Sequence, residues 1–287
     1  MAVSAGRRYA PGPVKERFQA IEDKTRRLRV ALTARRPEVQ DFLERFEMAW
    51  VHHDCALEGQ VYTPQELSLA LHPGAVVAEA SLFPIVWEIR NHKATVDFIR
   101  EEAKGSKKHG AITLSLVKKL HDLLSGNTPD AQAARAQMER RERTEKEMAK
   151  ERDKLGFRKD VPLHKTYLHE IAPPSKVQPL LEKLLDWTAS SEFREQHPIL
   201  QAARTQHQFI QIFPFTETSG KLGRMLSNFI LLRNGLFPAV IVSVDRSKYY
   251  ESFRAGFTTF SNLMMDSMEN SLDNGLKFFR DLHRVYR

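Results

Sequence analysis

Apolar residues recur at helical spacing along most of this chain. Val14, Phe18, Ile21, Leu28 and Leu32 stand three, four and seven apart, and Phe42, Phe46 and Trp50 continue the pattern. Pro37 has no backbone N–H and opposes the preceding turn, so the run splits there into two helices. Thr63-Pro64-Gln65-Glu66 reads as a helix start. Thr63 is the N-cap, Pro64 takes the first helical position and Glu66 closes a capping box. Residues 84–103 (Ile85, Ile89, Val96, Phe98, Ile99) and 112–124 (Ile112, Leu116, Leu120, Leu123, Leu124) predict two more helices. Gly126-Asn127 ends the second.

Two stretches depart from this period. Residues 131–154 carry Arg135, Glu139, Arg140, Arg141, Glu142, Arg143, Glu145, Lys146 and Glu147 with almost nothing to bury, which predicts a solvated insertion or a protruding salt-bridged helix. Residues 157–172 are the strand-like part, with Val161, Leu163, Thr166, Tyr167, Leu168 and Ile171, closed by Pro173-Pro174. Helical spacing then resumes at Val177, Leu180, Leu181, Leu184 and Leu185. Pro198 opens a helix to about Ile212. Leu222, Met225, Leu226, Phe229 and Ile230 form the stripe of the next, capped by Asn234-Gly235. Residues 245–284 supply one or two terminal helices. The sum is an all-α domain with at most one hairpin, at 158–172.

Composition narrows the class. A chain of 287 residues with 41% hydrophobic and 28% charged residues buries a core and is not disordered. Its one cysteine, Cys55, excludes an intrachain disulfide and fits a reducing compartment. With no apolar run behind Arg7 and Arg8 and no membrane-spanning stretch, a cytoplasmic protein without a membrane partner is expected. Net charge is +8, but the cations are interleaved with acids and lack aromatic-interleaved patches, so a nucleic-acid partner is not expected. The sequence leaves a homodimer open.

The densest chemistry lies at Ile212-Phe213-Pro214-Phe215-Thr216-Glu217-Thr218-Ser219-Gly220-Lys221-Leu222-Gly223-Arg224. A helix starting near Lys221 points free N–H groups and a positive dipole end into the turn. Gly220 permits close backbone approach to an anion. Ser219 is a hydroxyl donor, Lys221 a point charge and Arg224 a planar fork, all suited to phosphate. Glu217 is an oxygen ligand of the kind Mg²⁺ takes beside phosphates. The alternative is an ordinary helix–turn–helix with solvated cations. Upstream, His52, His53, Asp54 and Cys55 invite a zinc reading, but no second ligand pair stands at zinc spacing.

The segment Phe213–Arg224 resembles the active-site loop of Fic proteins, H-P-F-x-D/E-G-N-G-R-x-x-R, without gaps. His197-Pro198-Ile199-Leu200 and His207-Gln208-Phe209-Ile210 are similar to that family's lead-in helix. Further similar blocks are Met225–Gly235, Asp245–Tyr250, Ala172–Val177 with Leu184–Trp187, and Glu88-Ile89-Arg90-Asn91-His92-Lys93-Ala94. The resemblance implies an all-α Fic/Fido fold with a β-hairpin flap at about 158–170. It further implies a helical extension over 1–50 and a Fic-like domain over 51–287, holding an inhibitory helix at about 50–60 and a charged insertion at about 131–156. It implies Mg²⁺ and ATP or another nucleotide, with transfer of AMP to a hydroxyl of a target protein that the sequence does not name. Phosphates would be bound by Thr218, Ser219, Gly220, Lys221, Gly223 and Arg224, and Mg²⁺ by Glu217.

The departures are concentrated at the catalytic end. Phe213 stands where the family has its general base, and a phenyl ring neither accepts nor carries a proton. Thr218, Ser219 and Lys221 replace Gly, Asn and Arg of the motif. Glu58-Gly59 resembles the end of the family's inhibitory motif S/T-x-x-x-E-G/N, with Asp54 at the Ser/Thr position, which implies a Glu58–Arg224 ion pair. Two classes follow. One is a regulatory or binding module without ordinary AMPylation. The other is a nucleotidyltransferase, adding or removing AMP through another base.

Overall fold

The computed structural model describes residues 14–34, 37–72, 74–106, 108, 110–128, 131–133, 156–162 and 169–285. Its helices are α1 (Val14–Leu32), α2 (Pro37–Leu57), α3 (Pro64–Leu71), α4 (Phe83–Gly105), α5 (Leu114–Ser125), α6 (Pro174–Ala189), α7 (Ser191–Glu195), α8 (Pro198–Ile212), α9 (Ser219–Arg233), α10 (Arg246–Ala255) and α11 (Phe257–Val285). Single 3₁₀ turns precede α4 and α10. The architecture is all-α, with no strand among the described residues. Of the expected flap, 163–168 lie outside the described residues, and the flanks at 158–162 and 169–170 are irregular. Most of the charged insertion, 134–155, also lies outside them.

Local chemistry sets the element ends. Thr63 accepts the Glu66 amide at 3.2 Å while the Glu66 carboxylate accepts the Thr63 amide at 2.7 Å, closing the capping box. Gly126 ends α5 at φ 67°, where a side chain would be strained and a Cβ would strike Asn91 and Trp87.

Helix α9 is the axis of the molecule. Nearly every residue from Ser219 to Arg233 is buried, and α8, α4, α5 and α2 surround it. Its most extensive contact is with α8. At that crossing Gly223 lies against Ile210 and Phe209, and a Cβ there would come within 2.9 Å of Ile210. Helix α2 runs unbroken through residue 50, and Ile21, Leu28, Phe42 and Trp50 share one core with Leu226, Met264 and Leu272. Helix α1 packs on α11, with Arg17 bound to Asp266 and Glu269 and Lys24 to Asp273.

Candidate functional site

Helix α8 ends in an abrupt reversal at Phe213, which sits at φ 49° and is the one non-glycine with positive φ among the described residues. A bulky residue in the left-handed region costs on the order of 1 kcal/mol and needs outside support. Arg158 supplies it. The Arg158 Nε donates to the Phe213 carbonyl at 2.6 Å, its terminal nitrogens bind the carbonyls of Asp160, Ala172 and Ile212, and its amide donates to Pro214 at 2.9 Å. A buried guanidinium thus faces the carbonyl end of α8, where the dipole favours a cation.

The turn itself is closed from inside. The Ser219 hydroxyl donates to the Phe215 carbonyl at 2.6 Å and accepts the Phe215 amide at 2.7 Å. Thr218 Oγ1 pairs with His121 Nδ1 at 2.7 Å, and the His121 ring stacks on Phe215 at 3.9 Å. Thr218 makes no capping hydrogen bond to the first amides of α9. Thr216 and Glu217 are exposed at the apex, whereas Phe213 is buried, its ring 6.1 Å from that of His169.

Around the start of α9 the structure gathers acids from α2 and α4. Arg224 is buried. Its Nε donates to Asp54 Oδ1 at 2.7 Å, one terminal nitrogen to the Asp54 carbonyl at 2.9 Å and the other to Glu58 Oε1 at 2.9 Å. The Tyr249 hydroxyl lies 3.4 Å from that last nitrogen. The far oxygen of Asp54 contacts His92 Nε2 at 3.1 Å. The Glu58 carboxylate rests on Gly220, where any Cβ would collide with it. Lys221 does not face the turn: its Nζ binds Glu88 Oε1 at 2.5 Å and Gln60 Oε1 at 2.6 Å.

These contacts govern the charges. Burial alone would raise the carboxyls of Asp54 and Glu88, but Arg224 and His92 hold the first below its ordinary value, and Lys221 does so for the second. Burial opposes the positive charge of His92, yet Cys55 and Asp54 beside it push its pKa up to about 9. Burial likewise opposes the charges of Lys221 and Arg224, and the neighbouring acids more than restore them.

Against the sequence expectation, the structure brings Glu58, Gly220 and Arg224 together and sends other residues elsewhere. Gly223 packs against α8, the Ser219 hydroxyl is engaged within the turn, and Lys221 is bound to Glu88 of α4. Among the described residues no cluster of three or more potential ligands is placed for a metal. His53 instead binds Ser243, and Asp54 binds Arg224. Sequence reading did not assign Asp54 to Arg224, Glu88 to Lys221, His121 to the turn or Arg158 to α8. A signal existed for the first: Asp54 and Glu58 stand four apart, on one face of a helix.

The sequence profile of the Fic/DOC family matches residues 111–231, which include this turn, α5, α8 and most of α9, but not α2 or α4. Over these residues the chain is similar to Fic/DOC proteins. "Protein adenylyltransferase fic-1" of Caenorhabditis elegans is 25% identical over 212 residues, covering 71% of this chain and 35% of that protein. "Protein adenylyltransferase Fic" of Nematostella vectensis is 35% identical over 83 residues, 29% of this chain and 19% of that one. This chain therefore spans about a third or less of those relatives. A Fic domain containing signaling protein from Bacteroides thetaiotaomicron superposes with a TM-score of 0.69 at 20% identity, covering 92% of this chain and 98% of that one. Residues 134–508 of C. elegans Fic-1 superpose at 0.66 and 19% identity, covering 92% and 71%. These likenesses establish the Fic-type all-α fold. No helix among the described residues is long and apolar enough to cross a membrane.

Proposed function

We propose that this Fic-type domain is a phosphate- or nucleotide-binding module held shut by Glu58, and that ordinary AMP transfer is lost with the base at Phe213. The observation that carries this reading is the Glu58 carboxylate resting on Gly220 and bonded to Arg224. A carboxylate bound to an arginine at the mouth of a helix resembles a phosphate oxygen in charge and in hydrogen bonding, and the two compete for one place. Glu217, exposed at the apex, would take Mg²⁺. One carboxylate with phosphate oxygens is a common donor set for that ion, which when bound would neutralise phosphate charge. Base loss alone slows transfer about 10²–10⁴-fold, and the Phe213 ring is buried besides.

Calorimetry with Mg-ATP and with inorganic phosphate tests the first half. Weak binding by the wild type and binding about ten-fold tighter by Glu58→Gly is expected, since a charge-assisted contact is replaced. Absence of binding by both refutes it. Labelled ATP tests the second half: no self-labelling or target labelling is expected.

A second reading, addition or removal of AMP through another base, draws on the adenylyltransferase names of the relatives. It also draws on His121, whose imidazole reaches the turn at Thr218. Labelling by the wild type that disappears in His121→Gln would establish it over the first.

A further inference from the structure

The two acids that hold Arg224 are not equivalent. Asp54 lies within the body of α2 and is buried, and it takes the Nε edge of the guanidinium with its carboxylate and one terminal nitrogen with its own carbonyl. His92, on α4, backs the other carboxylate oxygen at 3.1 Å. Glu58 follows the last residue of α2, next to Gly59 at φ 92°, and meets the guanidinium at one terminal nitrogen. Moving Glu58 asks only the turn after α2 to rearrange, whereas moving Asp54 would open the helix itself.

We propose that Asp54 is a positioning residue: it aims Arg224 at the start of α9 and keeps it aimed when Glu58 withdraws. This deepens the closed phosphate-site reading and rests on it. An arginine fixed along its Nε edge can turn only its remaining terminal nitrogen toward the place above Gly220 that Glu58 now fills. The incoming anion displaces one carboxylate, not two. The buried guanidinium keeps a counter-charge throughout, because the Asp54 carboxylate stays behind. A Ser or Thr at position 54 carries no such charge and would leave Arg224 dependent on Glu58.

The test is calorimetry of the full chain with inorganic triphosphate and with Mg-ATP. Relative to Glu58→Gly, the double variant Glu58→Gly/Asp54→Ser is expected to bind about ten-fold more weakly, the loss of one oriented charged contact. Glu58→Gly/Asp54→Asn keeps an acceptor for Nε, and about half of that loss should be recovered. Equal or tighter binding by the Asp54→Ser double variant overturns the proposal and makes Asp54 a second brake or a bystander. If Glu58→Gly itself binds neither probe, the closed-site reading fails, and this inference with it. Nitrogen-15 spectra of Glu58→Gly give an independent answer should the Ser variant unfold. A protected Arg224 Nε–H resonance supports the assignment, and one that exchanges freely with water overturns it.

Discussion

The two ends of helix α9 treat buried cations in opposite ways. At its start, Lys221 and Arg224 are buried with carboxylates from α2 and α4 against them. At its end, Arg233 is as buried, but its guanidinium lies over the rings of Phe193 and Phe229, at 6.0 and 5.2 Å. Its Nε and one terminal nitrogen have no hydrogen-bond partner among the described residues. Burial there pulls the pKa down to about 10, the reverse of the shift at Arg224. Charge at the first end is matched and held in place. At the second it is tolerated through a helix C-terminus and two aromatic faces. Only the first arrangement has a charge that another anion could take over.

The sharpest way to break this contrast is to strip Arg224 of its inner partner. Asp54→Leu leaves a buried guanidinium with Glu58 alone, and unfolding free energy in urea should fall by about 3–5 kcal/mol. The opposite sign is expected at the other end. Arg233→Met removes a buried charge that no acid compensates while keeping its apolar stem, and should raise stability by about 1–3 kcal/mol, visible as a higher Tm. A fall in Tm would mean that the aromatic sandwich fully compensates that charge. A smaller change is expected at Lys221, whose partner Glu88 is partly exposed. Glu88→Gln should cost about 1–2 kcal/mol in the same denaturation, since Gln60 keeps one contact.

The remaining effect is a pH dependence with two limbs. The His92 pKa is raised to about 9, so its contribution is fully present below the unfolded value near 6.5 and lost as pH rises through 9. His207 behaves oppositely. Burial, then His169 nearby, lower its pKa to about 4, so its contribution is present above 6.5 and lost as pH falls toward 4. Denaturation midpoints should therefore peak near pH 6.5. His92→Gln should flatten the alkaline limb and leave the acid limb in place; an unchanged alkaline limb would assign it to another group.

Helix positions were legible because their signals are local. Apolar spacing, the Thr63 box, Pro37 and Gly126 each act within a few residues, and the elements lie where these predict. The turn at 213–219 was legible as a place but not as a set of occupied groups. Whether Ser219 faces a phosphate or the Phe215 backbone depends on a bend whose support, Arg158, lies 55 residues upstream of Phe213. The pairing of Lys221 with Glu88 spans 133 residues, and no local pattern in α9 encodes it. Glu58 was readable since its position repeats a family motif. Asp54 was visible only as a departure from that motif, and its charge acquires meaning when α2 and α9 meet.

That long separation also has a consequence for the order of folding. The acids at 54, 58 and 88 leave the ribosome well before the cations at 221 and 224, the widest gap being the 170 residues from Asp54 to Arg224. Carboxylates on the early helices wait in water at little cost, whereas α9 must be buried on nearly every face. Its cations can enter the interior only where those acids already stand. Closing so long a loop is slow compared with forming either helix. The arrival of α9 should then be the late step of folding, with a nearly complete α2–α4–α5 surface serving as its template.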